Sequence, residues 1–65
     1  MSVPLVVLIE GPDWVRRKDG GWARALRVEI DGELALDTDQ FSSTWDAISY
    51  CVANFGKNGY LYVCL

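Results

Sequence analysis

The sequence predicts one small α+β domain of order β-β-β-α-β, a four-stranded, mainly antiparallel sheet with a single helix packed on one face. Three observations predict it. Residues 3–9 and 60–65 are apolar at alternating and intervening positions alike, the pattern of strands covered on both sides. Asp31-Gly32 joins two short segments of strand-like composition, a hairpin signal. A serine-capped stretch running to about Phe55 has apolar residues at helical spacing.

The first strand is expected over residues 3–9, with Pro4 at its start because proline donates no N–H to a ladder. Glu10-Gly11-Pro12-Asp13 should break it. Residues 14–22 form a long hairpin connection, in which Asp19-Gly20-Gly21 tolerates positive φ. Residues 23–30 give a second strand, with Leu26, Val28 and Ile30 on one face and Arg27 and Glu29 on the other. A two-residue turn after it would set Ile30 opposite Glu33; a three-residue turn would set Ile30 opposite Leu34 and Val28 opposite Leu36, and is favoured because it keeps apolar residues together. The third strand, residues 33–36, is short and acidic, which suits a sheet edge.

Residues 37–41 read as a loop. Ser42 or Ser43 caps the helix, and Asp46, three residues after Ser43, favours Ser43. Gly56 should end the helix in the αL conformation, with Lys57 near its negative pole. On a helical wheel Trp45, Ile48, Val52 and Phe55 form one stripe with Cys51 at its border, and this stripe should pack on the sheet. Asn58-Gly59 turns the chain into the last strand, residues 60–65. That strand lies parallel to the first through a right-handed crossover, giving the sheet order 3-2-1-4.

Sixty-five residues make one domain, 1–65, with a thin core, since a chain of this size buries only about 60% of its unfolded surface. Small domains compensate with metals, disulfides or association. With no histidine, and with Cys51 and Cys64 far from metal-ligand spacing, no metal or other cofactor is expected. Asp37 and Asp39 do not complete a calcium loop. No secretory signal or membrane span is legible, so the chain is expected to be soluble and cytoplasmic, with both cysteines as small buried hydrophobes. No catalytic set is present either, and no enzyme activity is expected.

Association remains. The chain is 51% hydrophobic, with three Trp, three Tyr and two Phe, while one helix can cover only one sheet face. The uncovered face should carry residues such as Val6, Leu8, Tyr60 and Tyr62, or their neighbours of opposite parity. The outer helix face (Asp46, Ala47, Tyr50, Ala53, Asn54) holds one charge. A homodimer, with a protein partner, is the expected solution. The alternative is that the 14–22 loop folds back over the open face.

Charge is segregated. Arg16, Arg17, Lys18, Arg24 and Arg27 face a single acid, Asp19, between residues 14 and 27, whereas residues 29–46 hold six acids and no base. Trp14 and Trp22 flank the basic run, an arrangement suited to single-stranded nucleic acid. The net charge of −3 weighs against that reading and favours oriented protein docking. The expected partner-binding residues are Trp14, Arg16, Arg17, Lys18, Trp22, Arg24, Tyr50, Tyr60 and Tyr62.

The apolar segment 5–10, the Asp19-Gly20-Gly21-Trp22 turn, and Ser43 with Asp46-Ala47 together resemble the partial RNase-H-like domain of HicB-type antitoxins. The likeness extends over about three quarters of the chain, with residues 28–36 in place of that family's proline-rich segment. It implies a dimer that neutralises a partner protein. A short chain with no catalytic set also suits a phage or mobile-element accessory protein.

Overall fold

The computed structural model describes residues 3–17, 20–41 and 43–65. Strands β1 (Val6–Arg16), β2 (Trp22–Ile30) and β3 (Glu33–Leu36) are followed by helix α1 (Thr44–Phe55) and strand β4 (Leu61–Cys64). They form one sheet of order β3-β2-β1-β4. β1 pairs antiparallel with β2 and parallel with β4, so the sheet is mixed.

β1 is longer than its sequence suggests. Gly11 and Pro12 do not end it. Glu10 pairs with Leu26 and Trp14 with Arg24, so two extra residues of β1 are accommodated in an irregularity between them. A bulge is where a strand tolerates a proline. Because the insertion is of two residues, Trp14 emerges on the same face as Glu10. The hairpin connection thus shrinks from the expected nine residues to residues 17–21. Asp19 and Lys18 of that connection lie outside the described residues.

At the β2–β3 turn, Asp31 (φ 54°) and Gly32 (φ 85°) both adopt positive φ, the requirement of a type I′ hairpin. The loop therefore has two residues, and Ile30 faces Glu33, not Leu34. A bulge one step further restores the expected Val28–Leu36 pairing. Turn chemistry sets the first pair and burial of Leu36 sets the last, and the bulge reconciles them.

Residues 37–41 contain a 3-10 turn, Thr38–Gln40, with a reciprocal cap between Asp37 and Gln40. Thr38 is buried. Its hydroxyl accepts from Leu26 N–H and donates to Leu26 C=O, both at 2.9 Å. These bonds satisfy the edge of β2 beyond the end of β3.

Ser43 caps α1, its Oγ accepting from Asp46 N–H at 3.2 Å; the alternative cap, Ser42, lies outside the described residues. The helix ends at Gly56, whose φ of 82° is positive but whose ψ of 163° is outside αL, in a region open essentially to glycine alone. Gly59 is fixed by space: a Cβ there would lie 1.7 Å from Phe55 O.

The helix is rotated relative to the expected stripe. Ala47 and Cys51 are fully buried, whereas Trp45 is 76% and Val52 41% exposed. The core comprises Val6, Leu8, Leu26, Val28, Phe41, Ala47 and Cys51, with Ile48, Tyr50, Phe55 and Tyr60 at its margin. A small residue at the crossing lets the helix approach the sheet closely. Tyr50 is drawn inward by edge-to-face contacts with Phe41 (5.9 Å) and Phe55 (6.2 Å).

This phase has a direct test by urea unfolding. Ala47→Leu overfills the contact and is expected to cost about 1–3 kcal/mol, whereas Trp45→Ala should change stability by less than about 0.5 kcal/mol. The reverse ranking would refute the packing described here.

Candidate interaction surfaces

Two surfaces stand out, one on each side of the sheet. On the helix side, β1 presents Val6, Leu8 and Glu10, and the paired register adds Leu26 and Val28 of β2 and Tyr62 of β4. Val6, Leu8, Leu26 and Val28 are no more than 2% exposed, each contributing about 1.5–3 kcal/mol by burial.

The other side of the same strands carries Val7 and Ile9 of β1 and, in register beside them, Leu61 and Val63 of β4. Among the described residues no helix lies over this face. Leu61 is 58% exposed, and Leu5 and Leu65, which extend the row, are 55% and 64% exposed. Toward β2 the face turns polar, with Arg27 Nε 3.1 Å from Glu29 Oε2. Of the alternatives left by the sequence, the opposite-parity set lies on the face without a helix, with Leu61 exposed and Val7, Ile9 and Val63 half-buried; Val6, Leu8, Tyr60 and Tyr62 belong to the helix side, where Tyr62 is still 44% exposed. A shallow hollow of about 250 Å³, lined in part by Ile9, Gly11, Ala25, Arg27 and Leu65, occupies one end of the open face.

The tryptophans do not fold back over it. Trp14 pairs with Arg24 and Trp22 with Arg16, and with Glu10, Ser43 and Thr44 they border a hollow on the helix side. The Arg24 guanidinium lies 5.5 Å from the Trp14 ring centroid and that of Arg16 5.9 Å from Trp22, both at cation–π distance. Trp14 and Trp22 remain 60% and 63% exposed. Four of the nine expected partner residues are therefore assembled into one patch at the outer part of the β1–β2 hairpin.

The other five are placed elsewhere. Arg17 is buried, donating from Nη1 to Thr38 C=O at 2.6 Å, with Nε and Nη2 unpartnered among the described residues. Its burial removes it from the basic surface. Lys18 is outside the described residues. Tyr50 and Tyr60 line the core margin. Tyr62 donates its hydroxyl to Glu10 Oε2.

Glu10, which from sequence could only be paired with Asp13 as a candidate acid–base carboxylate, is instead a structural hub. It is 9% exposed. Besides Tyr62, Thr44 Oγ1 donates to it at 3.3 Å and Arg24 Nε stands 3.9 Å away. These partners tie β1, β4, the helix start and β2 together, and they offset the cost of burying a carboxylate. Of the two thiols, Cys51 is buried, which pushes its pKa up. Cys64 is exposed, contrary to its expected burial, because β4 is an outer strand. Among the described residues no cluster of three or more potential metal ligands occurs, and no helix is long and apolar enough to cross a membrane.

Comparison with family models, with characterised proteins and with solved structures returns no match. The likeness to HicB-type antitoxins therefore rests on the apolar segment 5–10 and the turn and cap residues alone.

The Tyr62–Glu10 bond carries a pH signature. The bond, together with partial burial, pushes the phenol pKa from 10.0 up to about 12. The folded protein thus holds this proton more tightly than the unfolded chain. The resulting stabilisation is complete below pH 10 and is lost as the pH rises through about 12. The difference in urea midpoint between wild type and Tyr62→Phe should shrink across that window. A difference independent of pH would refute the bond.

Proposed function

We propose that the chain is a non-catalytic interaction module that pairs with a second copy of itself through the open face of its sheet. The observation that carries this reading is the apolar row of Val7, Ile9, Leu61 and Val63, which lacks a covering helix on the side opposite α1. A continuous apolar surface with a polar margin marks an interaction site. Glu10, the most buried carboxylate among the described residues, is already engaged by Tyr62 and Thr44, which supports a structural role for it over a catalytic one.

Charge supports a second copy as the occupant. The sheet is polar along its strands. Arg16 and Arg24 lie toward the β1–β2 hairpin, and Glu29, Asp31 and Glu33 cluster at the β2–β3 turn. Two sheets stacked face to face keep their strands within about 30° of alignment. A two-fold axis normal to the strands reverses one copy, so that the basic end of each, whose Arg16 and Arg24 side chains lie on the helix side of the sheet, and the acidic end of the other attract one another at longer range. Such complementarity favours the antiparallel arrangement and disfavours the parallel one.

Light scattering coupled to size exclusion tests the proposal. The wild type should run at twice its 7.3 kDa chain mass. Ile9→Lys and Leu61→Lys, each placing a charge in the contact, should weaken dimerisation at least about a hundredfold with the circular dichroism spectrum unchanged. A wild type that stays monomeric at NMR concentrations, or lysine variants that still dimerise like wild type, would overturn it.

A further inference from the structure

We infer that the Trp14–Arg24 and Trp22–Arg16 patch on the β1–β2 hairpin binds single-stranded nucleic acid. The patch faces the helix side of the sheet, opposite the surface proposed for self-pairing, so either surface can be occupied without blocking the other.

The register produces an alternation. Trp14 is directly across from Arg24, and Arg16 directly across from Trp22, so each aromatic has a cation opposite it and another along its own side of the ladder. The two indoles are diagonal neighbours, about 7–8 Å apart at the backbone. Both guanidiniums sit within 6 Å of a ring centroid, and this contact holds the long side chains in place. A single strand offers a matching alternation, with bases that stack on indoles and phosphates that accept from guanidinium. An acidic peptide would satisfy the arginines and leave both indoles in water. A duplex would hide the base faces that the indoles need. The chemistry therefore selects a strand with unstacked bases.

Carboxylates oppose an anionic ligand, and distance limits the effect of the remote ones. Glu10 borders the same hollow, but its oxygens already accept from Tyr62 and Thr44. The net charge is −3; Asp13, next to Trp14 in β1, and Asp46, in the first turn of α1, are close to the patch, whereas Glu29, Asp31 and Glu33 lie at the far end of the long strands, in a molecule 42 Å in its longest dimension. The Debye length at physiological ionic strength is about 8 Å, so the remote acids are largely screened from the patch.

The experiment is a fluorescence and anisotropy titration of the full chain with a labelled mixed-sequence DNA 15-mer, in parallel with its duplex and with a polyglutamate peptide. Binding of the single strand should quench tryptophan emission. With two arginines in contact, affinity should fall about sevenfold between 50 and 200 mM salt. The double variant Trp14→Ala/Trp22→Ala should lose at least about tenfold in affinity, and Arg16→Gln/Arg24→Gln should flatten the salt dependence, both with unchanged circular dichroism. No quenching at low salt, equal affinity for duplex or polyglutamate, or an unaltered affinity in the tryptophan double variant would each overturn the inference. Testing Ile9→Lys alongside separates this site from self-pairing, since its strand affinity should match wild type per chain.

Discussion

β1 has apolar side chains on both faces, and among the described residues a single α-helix is available to cover them. The rest of the molecule follows from that imbalance. As the longest strand, β1 takes the centre, between β2 and β4, where both its edges are paired. Val6 and Leu8 then reach the helix, while Val7 and Ile9 are left on the other side with Leu61 and Val63. No rearrangement of α1 could change this, because alternation is fixed by the backbone: exchanging the faces would only exchange which row is exposed. The open face is a consequence of composition and topology together.

The same strand leaves the core at Glu10 and continues. Past the two-residue irregularity it forms, with β2, a hairpin whose helix-side face lies beside the first residues of α1. A strand pair extending beyond its covering helix needs another means of shielding its large side chains. Here each tryptophan is partly covered by an arginine from the opposite strand. Glu10 marks the boundary between the two regimes. Inward of it the face is aliphatic and closed; outward it is aromatic, cationic and open. Its hydrogen bonds to Tyr62 and Thr44 close the end of the core.

The element order, the sheet order and the parallel return of β4 were legible in the sequence. They depend on turn signals and on which segments are apolar on both sides, and those signals are local. The rotation of α1 was not. A wheel that puts the bulkiest apolar residues inward chooses Trp45 and Val52, but the closeness of the helix to the sheet selects Ala47 and Cys51, and that distance is a tertiary property. Glycine and proline in β1 predict a terminus because both stop an isolated strand; pairing to β2 on the far side carries the strand through. Thr38 shows no pattern at all, since its two bonds to Leu26 depend on where β3 happens to end. The Trp–Arg cluster was legible as a group of residues but not as a geometry. The sequence brings four of them near one another along the chain, and only the register decides that each ring meets a cation while Arg17, one residue on, turns inward to Thr38.

The placement of charge bears on both surfaces in different ways. An antiparallel pair of sheets gains from having a basic end and an acidic end, because the attraction is between ends of different copies. A ligand on the hairpin gains from the basic end alone, and from its separation from the acids. One segregation, with five of the six bases within residues 16–27 and six of the nine acids within residues 29–46, therefore bears on both proposed contacts, which lie on opposite faces. Were the same charges evenly mixed along β1 and β2, the net charge would be identical. The paired arrangement would then lose its preferred direction, and the indole patch, already bordered by Glu10, would lie within screening distance of further carboxylates that repel phosphate. It is the order of charges along two strands, set by the chain and converted to distance by a rise of about 3.3 Å per residue, that distinguishes this surface from one of equal composition.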